Sequence, residues 1–396
     1  MRAGPIYEPG TWSGTVRGIQ HKPLCCAGLV TVLWILSGLG PAHAEPELEA
    51  FLLNPEGITG SSPNPAMHAL ASQILADVER LSHTEDDIFV ETSGVPSYPT
   101  GPFPDGNPSY ASDQDAVYQI TKQPTASGSI QSVGLGVIGI FVNGVAIFNP
   151  EDGITWNNQN IWHRNAIFAE ADGFDACFGH PAPPPGGPPG PPGGLVAGIY
   201  HHHQRPSCLL DQLADTGAVH SPIAGFALDG FPVYGPYGFA NSDGSGGVVR
   251  IRTGYAPRAI TTRDTLPDGT LLPEALHGPD VSQNYPLGWW IEDYEFVAAS
   301  GDLDPHNGRF AVTPEFPEGT YAYWMSIDAN GASEYPYFIG PTYYGEPIPQ
   351  FGVSVPPDAV VYVPEPALPL LSLAAQITLA SLLAVSTMLR RRRTHA

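Results

Sequence analysis

The hydrophobic positions of the chain fall into short runs that are separated by turn-forming residues, and this pattern predicts a mainly β structure. β-branched and aromatic residues dominate the runs, while Gly, Pro, Asn and Asp fill the breaks. Short strands between regular turn signals are typical of a β-sandwich or of an irregular β-rich single domain. The predicted strands are residues 88–92, 116–121, 133–142, 145–148, 248–252, 289–298 and 319–327. Asn143-Gly144 lies between two of these runs and predicts a tight β-hairpin.

One segment near the N-terminal end has a helical pattern instead. Asn64 is suited to cap a helix whose first residue is Pro65. Apolar residues then recur at spacings of three and four, which predicts one apolar helix face over residues 62–82. These residues are Met67, Leu70, Ala71, Ile74, Leu75, Val78 and Leu81. We therefore expect one short N-terminal helix to cover part of a β-rich body.

The first 44 residues have the features of an export signal. Arg17 and Lys22 precede the apolar run 24–36, and Ala42-His43-Ala44 provides a small-x-small cleavage site. The apolar run is shorter than the roughly 20 residues that a stable transmembrane helix needs. The pattern predicts a cleaved signal peptide over residues 1–44 and export by a Sec-type machinery.

The C-terminal end has the features of a second targeting signal. Residues 368–389 contain no charged side chain and are long enough to cross a bilayer. The arginine run after them favours a cytoplasmic end, with the body of the protein outside. The motif residues around the apolar segment are Pro364, Glu365, Pro366, Arg390, Arg391, Arg392 and Arg393.

This arrangement resembles a PEP-CTERM sorting signal over residues 363–396. The resemblance implies a Gram-negative bacterium and recognition by an exosortase-like sorting enzyme. It also implies a precursor that is anchored in the membrane by its C-terminal helix and is then released to the cell surface or extracellular matrix. The alternative is a plain C-terminal tail anchor.

The charge distribution narrows the classes of partner. The chain has 39 acidic and 16 basic residues, a formal charge of −23. The basic residues are concentrated at the two ends, so the 37 acidic and nine basic residues between Glu45 and Val363 leave a charge near −28. Such a body is repelled by phosphates, which excludes nucleic acid as a partner. A hydrophobic content of 42% is nevertheless high enough for this part to fold.

Two cysteines remain once the signal peptide is removed, Cys177 and Cys208. A pair of cysteines in an oxidising compartment predicts a disulfide, and thiolate ligation of a metal is the alternative. The Pro- and Gly-rich stretch 181–194 lies between them, which predicts a loop at the surface.

The histidines are the most distinctive candidates for chemistry. The string GIYHHHQRPSC places three of them in succession. In a strand over residues 199–203, His201 and His203 lie on one face, while Tyr200 and His202 lie on the other. Two imidazoles at this spacing can bind one transition metal. Further ligands would come from His180, His220, Asp229 or Asp175.

Other interpretations of the histidines stay open. The run can be an exposed segment that takes up metal adventitiously, or a buried one in which each ring is hydrogen-bonded to the backbone. A histidine can also act as a general base without any metal.

Several longer strings resemble the YHYH-domain proteins, which are named for a Tyr-His-Tyr-His motif. The resemblance extends from about residue 88 to residue 345. The motif falls on Tyr200, His201, His202 and His203, so this chain has His in place of the second Tyr. The strings that carry the resemblance are SGVPSYPTGPFPDGNP, VNGVAIFNP, WHRNAIFAEADGFDACFGHP, GIYHHHQRPSC, HSPIAGFALDGFPVYGP, LDPHNGRFAVTPEFPEGTYAYW and YPYFIGPTYYG.

The resemblance implies a domain of unknown function with suspected metal binding, and it makes an accidental histidine run less plausible. The expected organisation is a signal peptide (1–44), an N-terminal helical segment (45–87), the YHYH-type domain (88–346) with its insert (181–194), a linker (347–362) and the sorting signal (363–396).

Three hypotheses follow. The first is an exported metal-binding domain, with copper or zinc favoured by imidazole ligands. The second is a structural or adhesive component of the extracellular matrix without a metal site. The third is a metal-dependent extracytoplasmic enzyme, in which Tyr200 or Tyr234 would take part.

Overall fold

A computed structural model of the chain describes residues 45–106, 109–182 and 194–364. The predicted signal peptide lies outside these residues, as do most of the Pro/Gly-rich insert, the last two residues of the Pro-Glu-Pro triplet, the segment 368–389 and the arginine run. The chain divides into two units, Met1–Glu45 and Pro46–Ala396, and the description below concerns the second.

The helices of the described residues are few and short. Each α-helix has two turns or fewer, and none is both long and apolar enough to span a bilayer. The α-helices are α1 (Pro46–Glu49), α2 (Pro65–Ala71), α3 (Ala166–Ala169) and α4 (Ser207–Gln212). The 3₁₀ turns are Trp156–Asn158, Ala171–Gly173, Glu274–Leu276 and Ile291–Asp293.

Strands make up most of the regular structure, so the prediction of a mainly β fold is confirmed. The strands are β1 (Val78–His83), β2 (Asp87–Thr92), β3 (Ser109–Ala111), β4 (Ala116–Thr121), β5 (Ala126–Ser132), β6 (Val137–Phe141), β7 (Ala146–Phe148), β8 (Glu151–Thr155), β9 (His163–Asn165), β10 (His180–Ala182), β11 (Val196–His202), β12 (Ile223–Ala227), β13 (Pro232–Tyr234), β14 (Tyr237–Phe239), β15 (Val248–Arg250), β16 (Tyr255–Pro257), β17 (Tyr294–Phe296), β18 (Gly308–Ala311), β19 (Thr320–Trp324), β20 (Thr342–Gly345) and β21 (Val360–Val361).

The largest sheet has nine strands in the order β10-β11-β7-β6-β12-β13-β19-β18, and β3 pairs with β11 beside this path. It is mixed, because β11 runs parallel to β7 and β13 runs parallel to β19. A second sheet has the order β21-β1-β2-β4. Four two-stranded ribbons complete the described part: β14-β15, β16-β17, β20-β5 and β8-β9.

The helix predicted over residues 62–82 is wrong in its extent. Its start is as predicted, since the Asn64 side chain accepts a hydrogen bond from the Ala66 amide at 3.1 Å. The helix ends at Ala71, however, and Val78 and Leu81 belong to β1. A bulge in β1 shifts its register after Val78, so two residues three apart are both fully buried. The bulge thus gives a strand the apolar spacing of a helix.

The hairpin predicted at Asn143-Gly144 is present. β6 and β7 pair in antiparallel fashion on either side of it, and the Gly144 amide donates to the Phe141 carbonyl at 2.9 Å. Gly144 has a φ of 78°, and a Cβ there would lie 2.1 Å from the Thr92 hydroxyl oxygen. Only glycine fits this turn. The hairpin places β7 between β6 and β11 in the large sheet.

Candidate metal centre

Strand β11 holds the histidine run deep in the large sheet. It lies between β10 and β7, and the antiparallel register with β10 places His180 directly opposite His201. His203 follows the last residue of the strand. The exposed fractions of His180, His201 and His203 are 6%, 1% and 3%, which excludes an exposed run.

These three histidines form a cluster. Among the described residues they are the one group of three or more His, Cys, Asp or Glu whose ligand atoms all lie within 4.8 Å of one another. The Nε2 atoms of His201 and His203 are 3.0 Å apart. The rings of His180 and His201 have centroids 4.6 Å apart. The alternation of a strand therefore brings His201 and His203 to one side, and the neighbouring strand adds His180.

The backbone fixes which nitrogen of each ring carries the proton. His201 Nδ1 lies 2.9 Å from the carbonyl oxygen of Ile199, and His203 Nδ1 lies 2.6 Å from that of Asn149. A carbonyl accepts only, so both Nδ1 atoms must donate. Each Nε2 of a neutral ring then has a lone pair, and the two lone pairs face each other. A proton or a metal cation between them would remove this repulsion, and orientation by carbonyls is the usual support of metal-binding histidines.

A shared proton is disfavoured by the surroundings. Burial lowers the pKa of His180 to about 4 and that of His203 to about 3, and it lowers the pKa of His201 well below its ordinary value. Neighbouring histidines lower the pKa of His180, His201 and His203 further. At neutral pH the three rings are therefore neutral, which is the form that binds a metal.

A carboxylate that the sequence reasoning missed completes the cluster. Glu170 Oε2 lies 3.4 Å from Nε2 of His180 and 3.4 Å from Nε2 of His203. Neither this oxygen nor His180 Nε2 has a hydrogen-bond partner. Burial raises the pKa of Glu170 to about 7, and nearby Asp152 adds to the shift. Its only signal in the sequence is its position in the string WHRNAIFAEADGFDACFGHP.

The separations suit a small metal ion. In a tetrahedral zinc site with bonds of about 2.0–2.1 Å, neighbouring ligand atoms lie about 3.3 Å apart. Three of the separations between the candidate ligand atoms, 3.0, 3.4 and 3.4 Å, bracket this value, and the ligand atoms of the three histidines all lie within 4.8 Å of one another. Three imidazole nitrogens and one carboxylate oxygen are donors that both zinc and copper accept. The residues present therefore fit a transition metal.

Aromatic rings enclose the cluster. Phe148 stacks on His201 with a centroid distance of 3.8 Å, and Phe174 lies 4.7 Å from the His180 ring. Packing of this kind holds the imidazoles in fixed orientations and lowers the local dielectric constant, which strengthens a charge–ligand interaction.

The other face of β11 is different. Tyr200 donates to Asp175 Oδ2 at 2.8 Å, and the Asp175 carboxylate also accepts from the amides of Gly101, Cys177 and Gly179. His202 has a partner on both nitrogens, the Phe178 carbonyl at 2.9 Å and the Tyr98 hydroxyl at 3.0 Å. The side-chain polar atoms of Tyr200 and His202 therefore all have hydrogen-bond partners.

The structure places the remaining candidate ligands away from the cluster. His220 packs against Tyr234, and its Nδ1 lies 2.7 Å from the Ser221 carbonyl. Asp229 is fully buried and accepts from the Tyr323 hydroxyl and from the amides of Phe231 and Gly345. Asp175 is engaged as described above.

Cys177 and Cys208 form the predicted disulfide, with their Cα atoms 5.1 Å apart. The thiolate alternative is therefore wrong. The bond connects the segment before His180 to helix α4, which follows the histidine run, so it holds together two segments that flank the site.

Fold and site define a mainly β protein with a buried cluster of three histidines and a half-buried glutamate beside it. Residues 117–335 match the model of the family described as YHYH protein, and this is more than half of the chain. The chain therefore belongs to the YHYH protein family. No curated protein matches it significantly. No solved structure matches it significantly either.

Proposed function

We propose that this protein is an exported metal-binding protein that holds one transition-metal ion, copper or zinc, through Nε2 of His180, His201 and His203. Glu170 is the fourth ligand or holds a bound water. The observation that carries the proposal is the 3.0 Å contact between two Nε2 atoms whose rings both donate through Nδ1. A cation gives this arrangement a favourable energy, and neutral rings alone do not.

The test is elemental analysis of the tag-free full-length protein after dialysis. We expect about one equivalent of metal per chain, and less than about a tenth of that in a His201→Ala/His203→Ala variant. His202→Gln is the matched control, because it changes the neighbouring histidine on the opposite face. Equal metal contents in the double variant and the wild type would contradict the proposal. Electron paramagnetic resonance separates Cu(II), which gives a signal, from zinc, which gives none.

We also propose export and sorting. A Sec-type signal would deliver the acidic body outside the cytoplasm, and an exosortase-like enzyme would process the C-terminal segment and release the protein to the cell surface or matrix. The disulfide supports an oxidising compartment, since such bonds are rare in the cytosol. Cell fractionation tests this: deletion of residues 363–396 should move the protein from the membrane or surface fraction to the soluble extracytoplasmic one.

A further inference from the structure

A second candidate site lies apart from the histidine cluster, around His220. It is a groove of about 550 Å³, which is within the usual range for small-ligand sites. Glu315, Asp215 and His220 contribute its polar groups. Its larger apolar lining residues are Leu213, Val219, Pro222, Phe239, Val248 and Pro314.

His220 offers an unused acceptor in this groove. The residue is 7% exposed, and its Nδ1 donates to the Ser221 carbonyl at 2.7 Å. The lone pair is therefore on Nε2, and this buried atom has no hydrogen-bond partner. The ring itself is held by Phe239 and Tyr234, with centroids 4.9 and 5.1 Å away. A buried acceptor without a donor is costly unless a ligand or a water supplies one.

The other polar groups of the groove are acceptors too. Glu315 accepts from the Tyr234 hydroxyl at 3.0 Å, and Asp215 accepts from the Ser221 hydroxyl at 2.7 Å. No lysine or arginine lines the groove. The nearby Arg309 guanidinium lies over the Trp324 ring at 5.1 Å and donates to the Phe239 carbonyl through one terminal nitrogen, while its Nε has no hydrogen-bond partner.

This combination selects the chemistry of a ligand. The three polar groups do not form a metal site, because His180, His201 and His203 are the only such group in the described part of the chain. Two carboxylates and an imidazole acceptor instead favour a hydrogen-bond donor that carries positive charge. The apolar walls favour a ligand with a hydrophobic body. We infer that the groove binds a small organic amine, an ammonium group on an aryl or short alkyl body.

The acidity of the whole domain favours the same ligand, since a strongly negative surface concentrates cations near it. General attraction of this kind would not depend on one carboxylate of the groove. An experiment must therefore distinguish binding at a specific site from attraction by the negative charge of the whole domain.

The experiment is calorimetric titration of the full-length protein with 2-phenylethylamine at 150 mM salt. We expect saturable binding of one equivalent, about tenfold tighter than binding of the uncharged 2-phenylethanol, and no binding of phenylacetate. Glu315→Gln should weaken amine binding about tenfold, because it removes the charge and keeps an oxygen that accepts from Tyr234. His220→Phe keeps a ring of similar shape and should weaken binding as well.

Glu318→Gln is the matched control: it removes an equal charge three residues away, at an exposed position outside the groove. It should leave the affinity unchanged, and so should His201→Ala/His203→Ala, which separates this site from the metal centre. The inference is overturned if Glu315→Gln and Glu318→Gln weaken binding equally. It is also overturned if the amine does not saturate up to about 10 mM, which would leave a buried water as the partner of His220.

Discussion

Both faces of β11 carry buried histidines, but the faces differ in whether both ring nitrogens have ordinary hydrogen-bond partners. On one face Tyr200 and His202 have every polar atom paired, with Asp175, Tyr98 and the Phe178 carbonyl. On the other face the Nδ1 atoms of His201 and His203 are paired, and their Nε2 atoms point at each other. We call these the closed face and the open face. Burial alone therefore does not define a candidate site; ligand atoms that lack a donor and are held in fixed positions do.

The largest expected effect comes from breaking the closed face. Asp175→Ala leaves four buried donors without their acceptor, so the free energy of unfolding should fall by more than about 4 kcal/mol. Urea denaturation of chelator-treated protein measures it, with the exposed residue Glu318→Ala as the control. A loss below about 1 kcal/mol would show that water replaces the carboxylate and that the face is not closed.

The open face should instead make the stability of the folded protein depend on metal. Zinc at 100 times its Kd should stabilise the wild type by about 2.7 kcal/mol, because it binds the folded state alone. His203→Ala should lose this gain, and His202→Gln should keep it. Thermal denaturation with and without zinc gives the comparison. An undiminished gain in His203→Ala would place the metal elsewhere.

Acid should lower the stability of the folded protein through protonation of His202 on the closed face. Burial lowers the pKa of His202 from 6.5 to about 3, so the unfolded chain takes up a proton at a pH where the folded protein does not. The contribution of His202 to stability is complete above about pH 6.5 and is lost as the pH falls, by about 1.4 kcal/mol per unit.

Between pH 7 and pH 5 this amounts to about 2 kcal/mol. The measurement is urea denaturation of the metal-free protein at both pH values. His202→Gln should show a smaller loss than the wild type by this amount. Identical pH dependence in the two proteins would mean that His202 titrates normally.

The smallest change is Tyr98→Phe. It removes only the hydroxyl that donates to His202 Nε2, so the unfolding free energy should fall by about 1–2 kcal/mol. Metal content should not change, because the hydroxyl faces away from the cluster. Elemental analysis and urea denaturation together check both statements; a drop in metal content would show that the two faces are coupled.

The sequence was informative where spacing alone decides geometry. The two-residue alternation of side chains along a strand predicts that His201 and His203 lie on the same face. Asn143-Gly144 predicts the hairpin between β6 and β7. Cys177 and Cys208 were predicted to pair from the compartment, and they do. The start of α2 was readable from Asn64, but its end was not, because the bulge in β1 gave Val78 and Leu81 a helical spacing.

The positions of the other candidate site residues depend on tertiary contacts, which the sequence pattern does not show. His180 joins the cluster through its register opposite His201, which no local pattern encodes. Glu170 was missed because its neighbours in sequence carry no metal-ligand motif; it reaches the histidines through the turn between α3 and the following 3₁₀ helix. His220 and Asp229 lie in motif strings, but the fold gives them other partners, which residue type and position in the sequence do not reveal.

The short ladder between β10 and β11 has a practical consequence. It pairs His180 with His201, Pro181 with Tyr200 and Ala182 with Ile199, so the chain on both sides of residues 183–193 is fixed by the sheet. Lengthening the connection should then cost only loop-closure entropy, about 0.6 kcal/mol for each doubling. A fluorescent reporter could be inserted into this connection, a few residues from His180, where quenching by copper at the proposed metal site would report its occupancy in living cells.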